Sequence, residues 1–286
     1  MRCRRVQRAL AAGALLLAVA CRGVAGDGGG GGGGGDSGSH TTTSQSKPPG
    51  HWRLVFQDDF QGSKLDTDRW ATCYDWNVNG CTNSGNQEKE WYLPGQVSVG
   101  GGALTLSADR RPTRGSDGRV YPWTSGMIST GRDSWNARPR RTFTYGYFEA
   151  AVKIPAQAGM FPAFWLMPAS RYVPPELDIM EFFGTTQRVL MNVHWRGMSG
   201  FVEQAEKKYG PIDFPAGYHV FALLWKPGEL TWFVDGVERF QLTGADRVPN
   251  VPMELLLNLA VGVPQVPPRS VNSAQMKVDW VRVWQQ

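Results

Sequence analysis

The stretch Pro175-Glu-Leu-Asp-Ile-Met-Glu-Phe-Phe-Gly184 decides how this chain is interpreted. Its apolar residues are typical of a buried strand, yet Glu176, Asp178 and Glu181 place three carboxylates within six residues. Acidic residues are poor strand formers, and like charges on one sheet face repel each other and raise each other's pKa. A strand that keeps three acids therefore indicates chemistry rather than packing.

The spacing of these acids predicts a β-bulge. On a regular strand, residues i and i+2 share a face, so Glu176 and Asp178 point the same way and Glu181 points the opposite way. One extra residue near Ile179-Met180 would return Glu181 to the shared face. The two glutamate carboxyls could then approach to ~5–6 Å, the separation of nucleophile and acid/base in a retaining glycosidase. From spacing alone, an acidic edge strand and a structural cation site are the alternatives.

Further segments along the chain carry a resemblance to a known family. They are 56–60, 86–92, 124–126, 145–150, 159–168, 258–262 and 278–283. Together with the three acids, they resemble glycoside hydrolase family 16, whose signature is Glu-x-Asp-x-x-Glu in its bulged form. That form is typical of laminarinase-like β-1,3-glucanases, agarases and carrageenases. The resemblance runs from about residue 54 to the C-terminus, and it implies a jelly-roll β-sandwich whose concave sheet forms an open substrate cleft.

The resemblance also implies a role for individual residues. Glu176 matches the nucleophile, Glu181 the acid/base, and Asp178 the middle acid that tunes the nucleophile. Trp165 matches an indole platform beside the cleaved sugar. The remaining cleft positions are a histidine and three residues that hydrogen-bond sugar hydroxyls, namely His194, Asn86, Glu88 and Asn258.

Other family features concern aromatic rings and calcium. The chain contains 12 Trp, and sugar faces pack on aromatic rings, so Trp91 is expected beside Trp165 in the cleft. Asp279, with main chain near Asp59 and Gly102, matches a calcium site on the convex side of many members. The resemblance implies no cofactor for catalysis and a structural calcium as the candidate ion.

The sequence departs from the family at four places, of which the first and the last bear on sugar preference. Phe161 stands where the family often has Trp, and Met127 and Tyr147 stand where it often has Arg. A frequent Trp is missing from 263–267. None of these changes touches the three acids.

The N-terminus predicts export. Residues 1–20 hold four Arg and no acid ahead of a short apolar run, as in a signal peptide. Cys21 follows small residues, as at a lipoprotein cleavage site, and 21–50 form a Gly/Ser/Thr/Pro-rich linker. We expect an extracellular protein or a cell-surface lipoprotein that touches membrane only through a lipid on Cys21. The alternative is cleavage after Ala20 or Gly26 with full secretion.

Charge and cysteine content agree with an exported protein. Subtracting the four Arg of 1–20 from the formal charge of +5 leaves +1, which argues against a nucleic-acid partner. Cys73 and Cys81 lie eight residues apart in a Gly/Asn-rich loop. In an oxidising compartment they are expected to form a disulfide, and two free thiols are the alternative.

Residues 51–286 read as one all-β domain. Strand-like alternation appears at 103–107, 143–153, 219–225 and 276–284, and 230–242 reads as a hairpin turning at Asp235-Gly236. About 235 residues of short strands suit one large β-sandwich.

The predicted function is a monomeric, retaining endo-β-glucanase acting on β-1,3-linked or mixed-linkage β-glucan. A galactan hydrolase such as an agarase, or a transglycosylase, would use the same acids on the same fold. A non-catalytic β-glucan-binding protein is the rival from another class, and the presence of all three acids argues against it.

Overall fold

The computed structural model describes residues 50–74, 80–134 and 136–286. The expected signal peptide, Cys21 and the linker up to residue 49 lie outside the described residues. Within the described ranges, no helix is both long enough and apolar enough to span a bilayer.

The described chain is built almost entirely of strands. They are β1 (Arg53–Asp58), β2 (Glu90–Tyr92), β3 (Val97–Gly100), β4 (Ala103–Asp109), β5 (Thr113–Arg114), β6 (Val120–Tyr121), β7 (Trp123–Ser125), β8 (Met127–Ser129), β9 (Gly146–Lys153), β10 (Met160–Pro168), β11 (Glu176–Glu181), β12 (Val189–Arg196), β13 (Val202–Tyr209), β14 (His219–Lys226), β15 (Glu229–Val234), β16 (Val237–Thr243), β17 (Met253–Val261) and β18 (Ser273–Gln285). Short 3₁₀ helices cover Ser84–Asn86, Pro94–Gln96 and Phe214–Ala216.

Two large sheets form a sandwich. Sheet A has the order β16-β15-β14-β9-β18-β4-β7-β2, with β1 beside β18 and β3 beside β4. Sheet B has the order β13-β12-β11-β10-β17-β8, and β5 and β6 form a separate ribbon. Most pairs are antiparallel, while β2 and β7 are parallel. Neither sheet closes into a barrel, and the expected all-β sandwich of jelly-roll type is confirmed.

The core lies between the two sheets and follows from alternation along the strands. Strand β4 buries Leu104, Leu106 and Ala108 completely, while the residues between them stay partly exposed. Strand β17 is buried along its whole length, so both faces of sheet B are covered there. Its residues Leu255 and Leu257 enter the main core, which leaves the alternate positions to the outer face.

Two expectations about strands can be compared with the structure. The predicted hairpin is present, since β15 and β16 are joined by Asp235 and Gly236 at φ 51° and 75°, as a type I′ turn requires. The strand expected from Phe143 begins later, at Gly146. Tyr145 has φ 63° and breaks the extended conformation, so Phe143 makes only an isolated bridge to Met253.

Candidate active site

Strand β11 contains the predicted bulge. On the side of β10, Trp165 pairs with Asp178 and Ala163 pairs with Glu181, so three steps on β11 face two steps on β10. The pairing with β12 shows the same extra residue between Asp178 and Glu181. The ladder is therefore interrupted at the position that the spacing of the acids predicted.

The bulge brings the acids to one face. Ile179 and Met180 both enter the core and are 1% and 0% exposed. Because two consecutive residues point inward, Glu181 returns to the outer face of sheet B, which Glu176 and Asp178 already share. Asp178 is 1% exposed, while both glutamates remain partly accessible.

Strand β12 places two polar side chains beside these acids. His194 pairs with Glu176, and Asn192 pairs with Asp178. The His194 Nε2 atom lies 2.8 Å from Asn192 Nδ2 and 3.6 Å from Asp178 Oδ2. Underneath, the Trp232 indole donates a 2.8 Å hydrogen bond to the main-chain carbonyl of Asp178 and fixes the bulged strand from the core side.

Burial controls the electrostatics of the cluster. It raises the pKa of Glu176 to about 7. Burial, followed by the charges of Glu176 and Glu206, raises the pKa of Glu181 to about 8. Burial, followed by the charges of both glutamates, raises the pKa of Asp178 well above its usual range. Burial and mutual repulsion therefore favour the protonated forms of these acids, so one of the glutamates can hold a proton near pH 7 while another is ionised.

The same residues have the spacing of metal ligands. Three residues, Glu176, Asp178 and His194, each place one potential ligand atom within 4.8 Å of the other two. Within the described ranges, this is the one group of three or more His, Cys, Asp or Glu residues with that spacing. Burial lowers the pKa of His194, which keeps the imidazole neutral near pH 7. A pair of acids held together for proton transfer accounts for this proximity without an ion.

The candidate calcium residues lie on sheet A. Strand β4 pairs with β18 as far as Val278, and β1 pairs with it from Val281, so both strands end beside Asp279. Continued by one or two residues, this register would place Gly102 and Asp59, which flank those strand ends, near Asp279. One carboxylate and main-chain carbonyls form a donor set that suits Ca²⁺.

Only the main chain of Asp59 is suited to this role. Its carboxylate lies 3.2 Å from Nη2 of Arg282. Its carbonyl accepts a 3.1 Å hydrogen bond from Nε2 of Gln61, whose side chain also faces Gly102. A calcium ion at Asp279 would have to displace that amide or share the carbonyl with it.

The predicted sugar-binding residues are joined by hydrogen bonds. The Trp165 indole donates to Asn258 Oδ1 at 2.8 Å, and Asn258 Nδ2 donates to the Tyr92 hydroxyl at 3.0 Å. That hydroxyl donates to Glu88 Oε2 at 3.4 Å, and Asn86 Nδ2 donates to Glu88 Oε1 at 3.2 Å. The structure thus connects four residues predicted separately and adds Tyr92, which sequence reasoning missed.

Glu90 is a second residue that was missed. It is 0% exposed, and its Oε2 atom accepts a 2.8 Å hydrogen bond from the main chain of Val261. Burial, followed by the charge of Glu88, raises its pKa well above the usual range. Glu88, Glu90 and Tyr92 stand at i, i+2 and i+4, and this alternation was the available signal that they share a face.

Trp91 is not brought to the cleft residues, in contrast to the expectation. Since Glu90 and Tyr92 point toward Asn258 and Val261, alternation turns Trp91 to the other side of the strand. It is 5% exposed, and its ring lies 5.2 Å from that of Tyr121. The half-buried Trp165 is the indole that the structure places on the face of the acids.

The expected disulfide is confirmed. Cys73 and Cys81 are bonded, with 4.9 Å between their Cα atoms. The main-chain carbonyl of Cys81 accepts a 2.7 Å hydrogen bond from the Tyr92 amide. The disulfide therefore anchors the chain directly beside the hydrogen-bonded cleft residues.

Two of the departures from the family pattern lie close to the site. Phe161 shares the face of Trp165 on β10, and its ring lies 5.3 Å from that of Phe183. Met127 pairs with Asn258 and packs in one cluster with Tyr92. Apolar side chains therefore occupy positions near the acids where the family often has larger or charged ones.

Comparisons with known proteins agree with this geometry. The sequence profile described as glycosyl hydrolases family 16 matches residues 85–282. A β-glucanase of Rhodothermus marinus is 33% identical over 263 residues, which cover 82% of this chain and 85% of that protein. The endo-1,3-1,4-β-glycanase EglC of Rhizobium meliloti (strain 1021) is 31% identical, covering 80% of this chain and 51% of the relative.

Solved structures show the same fold. The endo-β-1,3-glucanase from Pyrococcus furiosus has a TM-score of 0.68 and 28% identity, covering 82% of this chain and 94% of that chain. A laminarinase catalytic domain from Thermotoga petrophila RKU-1 has a TM-score of 0.68 and 25% identity, covering 82% and 98% of the two chains. The family match spans more than half of the sequence and includes all three acids, and this chain therefore belongs to glycosyl hydrolases family 16, a family of O-glycosyl hydrolases.

Proposed function

We propose that this protein is an exported, monomeric, retaining endo-β-glucanase that hydrolyses internal β-1,3 bonds of β-glucan, including mixed-linkage β-1,3-1,4 glucan. The observation that carries the proposal is the bulge in β11, which places Glu176, Asp178 and Glu181 on one accessible face of sheet B. The β-glucanase of Rhodothermus marinus and a glucan endo-1,3-β-glucosidase of Niallia circulans among the relatives support β-glucan as the substrate class.

The proposed reaction is a double displacement. The Glu176 carboxylate attacks the anomeric carbon of the sugar while Glu181 gives its proton to the leaving glycosidic oxygen, which breaks the bond and forms a glycosyl-enzyme. Glu181, now ionised, takes a proton from water, and the resulting oxygen attacks the anomeric carbon and releases Glu176. Burial, followed by the charges of Glu176 and Glu206, raises the pKa of Glu181 to about 8, which supports its role as a protonated general acid near pH 7.

The neighbouring side chains position these two groups. Asp178 lies between them on the strand, and burial, followed by the charges of Glu181 and Glu176, raises its pKa well above the usual range and favours the protonated form. It can therefore donate a hydrogen bond within the cluster and hold Glu176 in place. Trp165 lies opposite Asp178 across the β10–β11 ladder and provides the aromatic platform for the reacting sugar.

Product stereochemistry tests the mechanism. In a double displacement, a β-linked substrate first gives a β-configured reducing end. NMR spectra recorded early in the hydrolysis of laminarin should show the β-anomer before mutarotation. An initial α-product would mean an inverting reaction, and the role of Glu176 as nucleophile would be abandoned.

Substitution of the two glutamates separates their roles. Glu176→Ala removes the nucleophile and should abolish activity on every substrate. Glu181→Ala removes only the proton donor, so it should fail on polysaccharide but still form the glycosyl-enzyme from an aryl glycoside with a good leaving group. Equal loss on both substrates in Glu181→Ala would contradict its assignment.

The rival activities differ in substrate. The protein should be incubated with laminarin, mixed-linkage glucan, xyloglucan and agarose, and the reducing ends and product linkages measured. Release from agarose would indicate a galactanase, and products longer than the substrate would indicate transglycosylation. Binding of laminarin without release of reducing ends would indicate a non-catalytic β-glucan-binding protein.

Export through a lipidated Cys21 is a separate part of the proposal. Its support is the sequence alone, a cysteine preceded by small residues and followed by a Gly-rich linker. Intact-mass analysis of the mature N-terminus should find a diacylglyceryl-modified cysteine. A lipid-free product that begins after Gly26 would contradict the anchor.

A structural calcium ion is also part of the proposal. Asp279 with the main-chain carbonyls near Asp59 and Gly102 would hold it, and its chemistry would be to stabilise the junction of β1, β4 and β18. Ligand binding to the folded state raises the melting temperature. Calcium should therefore raise it and chelation lower it, and an Asp279→Asn variant should lose that difference. Equal melting curves in calcium and chelator would remove the site.

A further inference from the structure

The hydrogen bonds from Trp165 to Glu88 all run in one direction. The Trp165 indole can only donate, and it donates to the Asn258 carbonyl oxygen. The amide nitrogen of Asn258 donates to the Tyr92 hydroxyl, which in turn donates to the Glu88 carboxylate. An ionised carboxylate can only accept, so Glu88 fixes the direction of every bond before it.

We propose that Tyr92 is a positioning residue, whose hydroxyl transmits the orientation set by Glu88 to Asn258 and so holds the Trp165 indole at the angle that sugar binding requires. The inference rests on the proposed glucanase function, because it assigns Trp165 to the substrate platform. It concerns the hydroxyl of Tyr92 rather than its ring.

The ring of Tyr92 already has a packing role. The side chain is 0% exposed, and its ring lies 5.6 Å from that of Tyr74 in an edge-on contact. It packs in the same cluster as Met167 and Leu256. A phenylalanine would preserve these apolar contacts, so the Tyr92→Phe variant removes the hydroxyl link and little else.

Two further residues hold the Glu88 end of this series of hydrogen bonds in place. Asn86 donates to the second carboxylate oxygen of Glu88 at 3.2 Å, which leaves Oε2 for the Tyr92 hydroxyl. Burial raises the pKa of both Glu88 and Glu90; hydrogen bonds from Glu90, Asn86 and Tyr92 lower that of Glu88, whereas the Glu88 charge raises that of Glu90 further. Glu88 is therefore the glutamate of the pair whose ionised form is better stabilised, and charge-assisted hydrogen bonds are the stronger ones.

Loss of the hydroxyl has a defined consequence at the acids. Asn258 would lose the acceptor of its amide and would no longer be fixed in the orientation that receives the indole N–H. Trp165 pairs with Asp178, so a change in its tilt alters the surface beside the reacting sugar. The effect should appear mainly in sugar binding, since Tyr92 contacts neither Glu176 nor Glu181 through any hydrogen bond within the described ranges.

A double-mutant cycle tests the inference. Tyr92→Phe should raise KM for laminarin by about fivefold to tenfold, as expected for a lost hydrogen bond, with kcat changed much less. In a Trp165→Phe background the same substitution should change KM by less than about twofold, because the residue it positions is gone. The matched control is Tyr147→Phe, which removes the hydroxyl of another buried tyrosine, on β9 of sheet A. Equal effects of Tyr92→Phe in both backgrounds would overturn the inference.

A spectroscopic measurement separates this inference from the proposed function. The indole N–H of Trp165, assigned by its loss in Trp165→Phe, can be followed in ¹H–¹⁵N NMR spectra of the folded protein without substrate. Its resonance should move in Tyr92→Phe and in Glu88→Gln, but not in Tyr147→Phe. An unmoved resonance would overturn the inference even if the enzyme is a glucanase. A moved resonance would support the hydrogen-bonded connection from Glu88 to Trp165 even if no glucan is hydrolysed.

Discussion

The His194 imidazole lies 3.6 Å from Oδ2 of Asp178, and this oxygen accepts no hydrogen bond from the part of the chain that the structure describes. Burial, with the charges of Glu181 and Glu176, raises the pKa of Asp178 well above its usual range, and burial lowers the pKa of His194. A neutral acid beside a neutral imidazole avoids an uncompensated buried charge. The surroundings of the central acid therefore favour its protonated form, in which it can donate a hydrogen bond.

An Asp178→Asn variant should therefore remain folded and lose activity. Its amide is neutral and can donate, as the protonated acid does, so the free energy of unfolding at pH 7 should change by less than about 1.5 kcal/mol. The amide cannot exchange a proton with the acids beside it, so we expect kcat to fall by about 10- to 100-fold. Chemical denaturation and steady-state kinetics measure the two effects. A large loss of stability would show that the native side chain is ionised.

The pH dependence of catalysis should respond to Glu206. This residue lies on β13, paired with Asn192, and its charge is among the causes that raise the pKa of Glu181 to about 8. Removing the charge in Glu206→Gln lowers that pKa, so the alkaline limb of kcat/KM should move to lower pH. Because Glu206 is exposed, high salt should produce a similar shift in the wild type.

The control for this experiment is on the same strand. Glu203 is also exposed but pairs with Trp195, on the other face of sheet B. Glu203→Gln should leave the alkaline limb in place. If Glu206→Gln and Glu203→Gln move it equally, net charge rather than the local field of Glu206 is responsible.

The sequence predicted those parts of the fold that depend on local pattern. Alternation identified β4 and β14, and the Asp235-Gly236 pair identified the hairpin turn. The late start of β9 was not predictable, because the positive φ of Tyr145 follows from its tertiary surroundings rather than from its residue type. The assignment of strands to two sheets was likewise not predictable from local pattern, since it depends on contacts between distant residues.

In the candidate site, too, local pattern predicted some features and tertiary contacts determined the others. The three acids and their bulge were predictable, because i, i+2 and i+5 on a strand admit few arrangements. Trp91 was predicted from residue type, whereas a three-residue strand takes its facing from distant partners such as Val261. Glu254, near the start of β17, is fully buried, and its burial depends on tertiary contacts that local pattern does not reveal.

Glu254 should make stability depend on pH. Its Oε1 lies 3.6 Å from Nη2 of Arg132, and that guanidinium also donates a 2.7 Å hydrogen bond to the carbonyl of Ala169, at the start of the loop that leads to Glu176. Burial raises the pKa of Glu254 to about 7, although the charge of Arg132 opposes this. The folded state therefore favours the protonated form.

The sign of the effect follows from linkage. The folded-state pKa of Glu254 is raised to about 7, whereas its unfolded-state pKa is near 4.5. The stabilisation that this residue contributes is therefore fully present below pH 4.5 and is lost as the pH rises to about 7. The Glu254→Gln variant lacks this titration. The difference in unfolding free energy between the variant and the wild type should therefore shift in favour of the variant from pH 5 to pH 8, by at most about 3 kcal/mol. Melting curves at several pH values measure it. The exposed Glu238→Gln serves as control, and a parallel pH dependence in all three proteins would contradict the prediction.

The bulge itself can be tested by changing the length of β11. Deleting Ile179 leaves two steps between Asp178 and the last glutamate, and a regular strand then keeps all three acids on one face. Deleting Ile179 and Met180 together leaves a single step and turns that glutamate toward the core. Both changes disturb two buried positions and should destabilise the protein by about 2–5 kcal/mol. Below the melting temperatures of both variants, the single deletion should retain measurable hydrolysis of laminarin and the double deletion should have none. Hydrolysis by the double-deletion variant, or its absence in a folded single-deletion variant, would mean that the facing of Glu181 does not determine activity.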